Sequence, residues 1–502
     1  MKRIVMIGWL AALSISLVNA QETKVPRLLT LQEVVAIAKQ QSPASKLAST
    51  NKNLGAWNYK IFKSQYLPWL ALNGTVPDFS NSIANVYQPD GTQAFRKRTL
   101  ANTSASLDLN QSIGATGTTI GVSSQLQRLD IFEEDHVTSY LAQPLVLSLS
   151  QPLLQFNPLR WANKTEPLKF QETQRQFAED MENVSFLASN LFFNLLIAQT
   201  NLEISLKNKL STDTLYRMSL GRYQLGKIAE NELLQLELAT MNAQNQISQS
   251  ELDVQISSQK LINYLQLPVD ESLQLGIPSN LPNIKVEVAR ALEEARKNRK
   301  NTVTYQRQLL EAQREVARAK GNRGFNGTIS ASYGFTRTSA LFTDVYNNSL
   351  PQQTISLGLN LPILNWGNAS AQVFSAKANL EQAQITIQQQ QQNFEQEVIL
   401  SATQLNLYRQ KAIIAQKADT IAQKRYEITS NRYLIGKITI LDLNTALNDR
   451  IQAKLSYIQA LNDFWTAWFD LRRKTLFDFE VGEAIKYWLG KREEIKNEKV
   501  RI

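Results

Sequence analysis

The segment Gly221-Arg222-Tyr223-Gln224-Leu225-Gly226-Lys227-Ile228 returns later in the chain as Asn431-Arg432-Tyr433-Leu434-Ile435-Gly436-Lys437-Ile438, at an offset of 210 residues. A second pair keeps this offset, because Gln151-Pro152-Leu153-Leu154 corresponds to Leu361-Pro362-Ile363-Leu364. In each half, 74 residues separate the proline from the last glycine of the repeated motif. Loops tolerate insertions and packed rods do not, so a duplicated segment that kept its length predicts a rod.

The composition sets the compartment and the broad class. At 502 residues, 43% hydrophobic and 20% charged, the chain exceeds one compact core and is not disordered by composition. Residues 1–20 are predicted to be a signal peptide, with Lys2 and Arg3, an apolar stretch and small residues before Gln21. With no cysteine, we expect neither disulfides nor lipidation of the mature chain. The formal charge of +10 includes a basic tail, 481–502, which we interpret as solvated, with no nucleic-acid partner.

Long helical patterns occupy both halves. From Leu159 to about Leu220 there is no glycine, and no proline after Pro167. Some 60 helical residues would span roughly 90 Å, which indicates a coiled coil or helical barrel and no transmembrane helix. We predict a first repeat over 21–280, with a helical hairpin at about 159–267, and a second over 281–480, with a hairpin at about 369–476. Two heptad series support the second hairpin: Leu380, Ile387, Phe394, Tyr408, Ala415 and Ala422, and Val398, Leu405, Ala412, Tyr426 and Tyr433.

Segments of alternating apolar and polar residues precede each hairpin. In 100–111, for example, Leu107 and Leu109 alternate with Asp108 and Asn110. Such ten-residue segments are typical of transmembrane strands with apolar side chains towards lipid, although a soluble sandwich with one wet face gives the same pattern. The predicted strands are 69–76 (weak), 100–111, 118–129 and 139–151 in the first half, and 328–337 and 353–361 in the second.

The strand count requires several chains. Four to six strands cannot close a membrane barrel, and open sheet edges are not viable in lipid. Several copies must therefore share one barrel and continue into a helical barrel. The turn at Gly114-Ala115-Thr116-Gly117 leaves the first half with two or four strands in the barrel. A trimer would then have 12 or 18 strands, and the sequence slightly favours 12.

The predicted signal peptide, internal repeat, strand pairs and helical hairpins together resemble the TolC-type outer-membrane efflux protein family over about 28–480. The two proline motifs and the two Arg-Tyr-x-x-Gly-Lys-Ile motifs carry the resemblance. It implies an α+β membrane protein: a homotrimer with a shared β-barrel in the outer membrane of a Gram-negative bacterium and an α-helical barrel in the periplasm. It further implies a duct for efflux or type I secretion that works with a periplasmic adaptor (membrane fusion) protein and an inner-membrane transporter, with outer-membrane lipid around it.

The resemblance also implies site residues at the hairpin tips. The adaptor-docking residues would be Arg222, Tyr223, Gly226 and Lys227 in the first tip and Arg432, Tyr433, Gly436 and Lys437 in the second. Each glycine suits the left-handed backbone of a tight turn between antiparallel helices. Simple packing in the helix seam is the alternative role for Tyr223 and Tyr433.

The periplasmic gate that the family implies is only partly present. Asp442 stands six residues after the glycine of the second tip, where the family has an acid, but Thr445 replaces the acid at nine residues. Tyr433 and Glu232 fill the positions of a tyrosine–acid link between neighbouring hairpins, while Ile438 replaces the family's basic residue. Three Asp442 carboxylates in one mouth would attract cations. The alternative is that Asp442 complements the dipole of its helix.

The sequence contains no recognisable catalytic or cofactor motif. Its one histidine, His136, lies beside three acids between two strands, and we interpret this segment as an exposed extracellular loop and expect no metal or cofactor. We predict no enzymatic activity, so that energy for transport must come from a partner. The alternative function is a barrel-anchored periplasmic coiled coil with a structural or adhesive role and no transport.

Overall fold

The structure is a computed structural model that describes residues 27–87, 90–133, 136–269, 271–278, 280–435, 437–438, 440–485 and 487. The predicted signal peptide, Gly436 and most of the basic tail lie outside the described residues. In chain order the elements are β1 (Arg27–Leu29), α1 (Leu31–Gln41), α2 (Pro43–Ser64), β2 (Trp69–Tyr87), β3 (Gln93–Ile113), β4 (Thr118–Phe132), β5 (His136–Leu153), α3 (Pro158–Gln224), α4 (Glu230–Leu265), β6 (Leu273–Leu275), α5 (Val288–Asn298), α6 (Lys300–Arg323), β7 (Asn326–Ser339), β8 (Leu350–Asn360), α7 (Asn368–Leu434), α8 (Ile440–Thr475), β9 (Phe477–Asp478) and β10 (Glu483–Ala484).

The two long hairpins have matching lengths. Helices α3 and α7 each have 67 residues, and α4 and α8 each have 36. Both ends of each helix are related by the same 210-residue offset as the sequence motifs. The duplicated segment therefore forms helices of the same length in both halves.

The chain divides into two compact units, each drawing on both halves. The first comprises Met1–Ser42, Leu187–Leu281 and Ala415–Asn462, and the second comprises Pro43–Phe186, Pro282–Ile414 and Asp463–Ile502. In the first unit α1 starts with a capping box, in which the Thr30 side chain accepts from the N–H of Glu33 and the Glu33 side chain accepts from the N–H of Thr30. Strands β1 and β6 pair in parallel beside it.

The second unit contains a six-stranded antiparallel sheet with the order β2-β3-β4-β5-β7-β8. All six strands are at least as long as predicted, and β2 runs on from the predicted 69–76 to Tyr87. Its pairing with β3 shifts register between Thr75 and Asp78, which brackets Pro77. Proline cannot donate to a ladder and is tolerated on an edge strand at such an irregularity, which is why the sequence pattern broke there.

The predicted alternation separates the sheet into an apolar and a polar face. On the apolar face, side chains form rows across neighbouring strands, such as Leu109, Val122, Leu147 and Tyr333, and Ile120, Leu149, Ala331 and Ile355. On the polar face the corresponding rows are mainly serine and threonine, and they line a cavity of about 220 Å³. Most of the apolar side chains are exposed to solvent in the single chain.

Helix α3 contains a stretch of 18 residues with mean hydropathy 1.2, of which 61% is buried inside the structure. Among its side chains Phe192, Phe193 and Leu195 have no exposed surface. Such burial is typical of the core helix of a protein.

A polar cluster fastens α8 to α7 in the second unit. The Asp470 carboxylate accepts hydrogen bonds from Ser401 Oγ at 2.9 Å and Arg473 at 2.6 Å, and lies 2.8 Å from Lys474 Nζ. Burial raises the pKa of Asp470, but Lys474, Arg473 and Ser401 outweigh that effect, so its pKa lies below the ordinary value of 3.8.

We expect the Asp470→Asn substitution to lower stability at neutral pH by roughly 1–3 kcal/mol, because hydrogen bonds to a charged group are lost. Since the folded-state pKa is depressed, the stabilisation by Asp470 is present above its unfolded pKa and disappears as pH falls through the lower folded value. Thermal unfolding at pH 7 and at pH 3 measures this, with the difference between the proteins shrinking in acid. A difference independent of pH would show that the charge on Asp470 has no part in it.

Candidate functional site

The first hairpin tip closes with a turn that requires glycine. Gly226 has a φ of +69°, in the left-handed region that side chains with a Cβ rarely adopt. Its N–H donates to Tyr223 O at 2.8 Å, and the N–H of Lys227 donates to Arg222 O at 2.9 Å. These two bonds are those of a Schellman motif, which satisfies the last carbonyls of α3 and reverses the chain.

The second tip repeats the hydrogen bond between the motif lysine and the motif arginine. The N–H of Lys437 donates to Arg432 O at 3.0 Å, as in the first tip. Within the described residues, both hairpins therefore turn at the repeated motif. Arg222, Lys227, Arg432 and Lys437 give the two tips basic side chains beside the first-turn acids of the return helices.

Tyr433 is a core residue between the two hairpins. Its side chain is buried with Leu215 and Leu443, and Leu236 and Tyr426 pack against this cluster. The Arg222 guanidinium lies 6.0 Å from the centre of the Tyr433 ring. No side-chain hydrogen bond joins Tyr433 to Glu232 anywhere in the described part of the chain, so within one chain Tyr433 acts in the seam packing that was its alternative role.

The other residues of the predicted gate lie at the surface of their helices. Glu232 and Asp442 are exposed in the first turns of α4 and α8. These are positions where a carboxylate also complements the helix dipole. Tyr223 is half exposed beside Gly226, so the first tip presents an aromatic side chain at its surface.

Two contacts of this region were not predicted from the sequence. The Arg450 guanidinium lies 3.9 Å from the centre of the Tyr426 ring, and Arg425 forms an ion pair with Asp449. The heptad series identifies Tyr426 as a seam residue, but no spacing indicates that Arg450 stacks on it. These contacts hold α8 against α7 next to the second tip.

His136 is placed differently from the predicted loop. It begins β5, stacks on Phe132 with ring centres 4.9 Å apart, and its Nε2 lies 3.8 Å from Asp130 Oδ1. It remains half exposed, and its neighbours Glu134 and Asp135 lie outside the described residues.

Comparison with known proteins finds matches to outer-membrane efflux and export proteins. Residues 322–475 match the family model for outer membrane efflux proteins. The chain is 26% identical over 154 residues to outer membrane efflux protein BepC of Brucella suis, covering 30% of this chain and 33% of that protein. It is 27% identical over 244 residues to toxin and drug export protein A of Aggregatibacter actinomycetemcomitans, covering 45% of this chain and 49% of that protein.

The fold is shared with solved outer-membrane channels. The Campylobacter jejuni CmeC outer membrane channel superposes with a TM-score of 0.64 at 17% identity, over 90% of this chain and 86% of CmeC. The matches thus show the α+β fold of outer-membrane channels. The predicted resemblance to the TolC-type outer-membrane efflux protein family is confirmed. The names of these relatives and channels place those proteins in the outer membrane. The matched stretches span at most about half the length of the curated relatives.

Proposed function

We propose that this chain is the exit duct of a tripartite efflux or type I secretion system, a passive conduit from the periplasm to the exterior. The observation that carries the proposal is the sheet, in which one face has rows of apolar side chains and the other has rows rich in serine and threonine. That arrangement suits lipid on one side and water on the other. No catalytic role is assigned to the chain, so the energy for transport comes from a partner.

The sheet edges support a barrel shared between copies. Strands β2 and β8 lie at the two edges, each with one neighbour among the described residues. An unpaired edge is not viable in lipid, so β2 of one copy pairs with β8 of the next. The shortest strand of the six-stranded sheet, β8, has 11 residues, which is enough to cross the hydrocarbon layer. A homotrimer therefore has an 18-stranded barrel, larger than the 12-stranded barrel that the sequence alone slightly favoured.

A second unpartnered surface lies on the helices and points to the same assembly. On α7 and just beyond its end, apolar residues recur every seven positions and are between 47% and 67% exposed. We call this set the α7 stripe: Leu400, Leu407, Ile414, Ile421, Ile428 and Ile435. Helix α4 exposes its own apolar residues, Leu234, Leu238, Met241, Leu252 and Ile256. In the proposed homotrimer, neighbouring copies cover these surfaces as the helices of a coiled coil do.

The hairpin tips face the partners. The basic, half-exposed tips around Gly226 and in the second motif dock a periplasmic adaptor protein, which connects the duct to an inner-membrane transporter. Crosslinking from Lys227 or Lys437 in cells, followed by co-purification, identifies these partners. If the duct assembles in the outer membrane but crosslinks to no partner from either lysine, docking at the tips is contradicted.

Reconstitution in a planar bilayer tests the duct itself. We expect the purified homotrimer to form water-filled, cation-selective channels. The alternative, a barrel-anchored coiled coil with an adhesive role, conducts no ions. Native mass spectrometry of the same preparation gives the number of copies, and a stable monomer without detergent would contradict the proposal.

Asp442→Asn is expected to weaken cation selectivity, because a ring of exposed carboxylates at the mouth loses its charge. The reversal potential under a salt gradient, measured in the planar bilayer, should move towards zero. Glu251→Asn is a suitable control, because Glu251 is an exposed acid on helix α4, away from the tip. Identical reversal potentials for the Asp442 variant and the unmodified channel would leave Asp442 as a helix-dipole partner only.

A further inference from the structure

An open cavity of about 990 Å³ lies in the second unit, where α2, the start of α3 and the β3–β4 turn meet. Basic and aromatic side chains dominate its lining, including Tyr59, Lys63, Tyr66, Arg160 and Lys164. Its volume is at the upper end of ordinary ligand sites and far exceeds that of a water cluster. The cavity lies beside the strands and not at the hairpin tips.

The electrostatics of the cavity favour an anion. Its lining contains three cations and no aspartate or glutamate. Lys63 Nζ lies 4.9 Å from the centre of the Tyr59 ring, and Lys164 Nζ lies 4.7 Å from that of Trp161. Across the described residues, Lys63, Arg160 and Lys164 form no ion pair. The nearby Glu166 is already paired with Lys169 at 2.6 Å.

The wall of the cavity is held by hydrogen bonds between the elements. The Tyr66 hydroxyl donates to Leu159 O at 2.7 Å, and Asn157 Nδ2 donates to Gly114 O at 3.0 Å. Asn157 also accepts from the N–H of Arg160, which caps α3. The three cations therefore stand around a wall that the protein itself fixes.

The cavity lies at the end of the apolar face of the sheet. Leu67, which lines it, is 61% exposed, and Leu70 continues the apolar rows by pairing with Leu109. Lys60 lies 4.6 Å from the centre of the Trp57 ring on the same stretch of α2. Tryptophan, tyrosine and lysine at the limit of an apolar band are typical of a membrane–water interface.

We propose that this cavity binds the phosphate of an anionic phospholipid headgroup, with Lys63, Arg160 and Lys164 as its cationic ligands. The site rests on the proposed function, because that function places this end of the strands at the periplasmic surface of the outer membrane. A lipid fits better than free phosphate because exposed leucines adjoin the cations and offer a surface to the acyl chains.

Native mass spectrometry of the full-length protein in a nonionic detergent tests the site, with phosphatidylglycerol or phosphatidylethanolamine of equal chain length added. We expect the variant K63Q/R160Q/K164Q to bind phosphatidylglycerol on the order of a hundredfold more weakly, at about fivefold for each cation removed. The variant K377Q/K411Q/K417Q is the matched control, because Lys377 and Lys411 also lie over aromatic rings but far along α7. It should bind like the unmodified protein.

Three results would overturn the site: undiminished phosphatidylglycerol binding by the triple variant, equal binding of both lipids, or displacement of the lipid by inorganic phosphate, which would show a free-phosphate site. The same spectra report assembly. If the triple variant does not assemble, the single variants R160Q and K164Q are measured instead. Each is expected to bind phosphatidylglycerol about fivefold more weakly, and undiminished binding by both would overturn the site. Channel conductance is measured in parallel, so that loss of lipid binding with normal conductance is separated from failure of the duct itself.

Discussion

Lysine at both Ile414 and Ile421 is expected to convert the assembled homotrimer into folded monomers. Both side chains belong to the α7 stripe and are 67% exposed in the single chain. Burying an isoleucine contributes about 2–3 kcal/mol, so two positions at three interfaces provide on the order of 15 kcal/mol. A lysine ammonium buried there without a partner adds a further penalty. The substitutions leave the chain's own seam untouched, since Ala412 and Ala422 form that seam and stay buried.

Light scattering coupled to size-exclusion chromatography measures the outcome in detergent. The matched control is Gln416→Lys with Gln423→Lys, which adds the same charge to exposed positions of α7 about two residues after each isoleucine. The lysine at 423 can still pair with Glu427, which Gln423 contacts at 2.8 Å. We expect the control to remain trimeric. If the variant with Ile414→Lys and Ile421→Lys stays trimeric with an unchanged melting temperature, the α7 stripe is not an interface.

The α7 stripe also shows a feature that the sequence alone did not predict. The two heptad series assigned to the second hairpin account for contacts within one chain: Val398, Leu405, Ala412 and Tyr433 are buried. The third series, from Leu400 to Ile435, has the same spacing of seven but no role in a single chain. A period of seven identifies an apolar seam without saying whether the partner is the same chain or another copy. Exposure in the structure supplies that information.

The fold was largely accessible from local patterns. Glycine at the tips, a helical run free of breakers and period-two strands each follow from backbone chemistry, and the observed helix and strand bounds lie within a few residues of most predictions. The exceptions have physical reasons. Pro77 concealed the second half of β2, because a proline in an edge strand reads as the end of a strand.

The candidate site was accessible only in part. The turn geometry of Gly226 follows from the motif, whereas the burial of Tyr433 depends on Leu215 in another helix. Whether Asp442 lines a mouth depends on neighbouring copies, which no pattern in one chain specifies. The cations of the proposed lipid site come from α2 and α3, which are separated in sequence by four strands.

Replacing Arg472 by methionine is expected to lower stability by about 3–5 kcal/mol, the effect of leaving a buried carboxylate without its cation. The Glu182 side chain has no exposed surface and accepts hydrogen bonds from Arg472 Nε at 2.9 Å and from the Tyr487 hydroxyl at 2.5 Å. Arg472 also forms an ion pair with Asp478, so it joins α3, α8 and the segment that follows α8. Burial, and then the Glu182 carboxylate, raise the pKa of Tyr487, which keeps its hydroxyl protonated as a donor.

Thermal unfolding in detergent, followed by circular dichroism, measures the effect of the Arg472 substitution. The control Arg425→Met breaks the ion pair with Asp449, in which both side chains are about half exposed, and should change stability by less than about 1 kcal/mol. Glu182→Leu combined with Arg472→Met removes both buried charges, and we expect it to recover most of the lost stability, because the penalty arises from the unpaired carboxylate and not from the absence of an ion pair. A double variant as unstable as Arg472→Met alone would show that the packing of the Arg472 side chain, rather than the charge of Glu182, holds this part of the protein together.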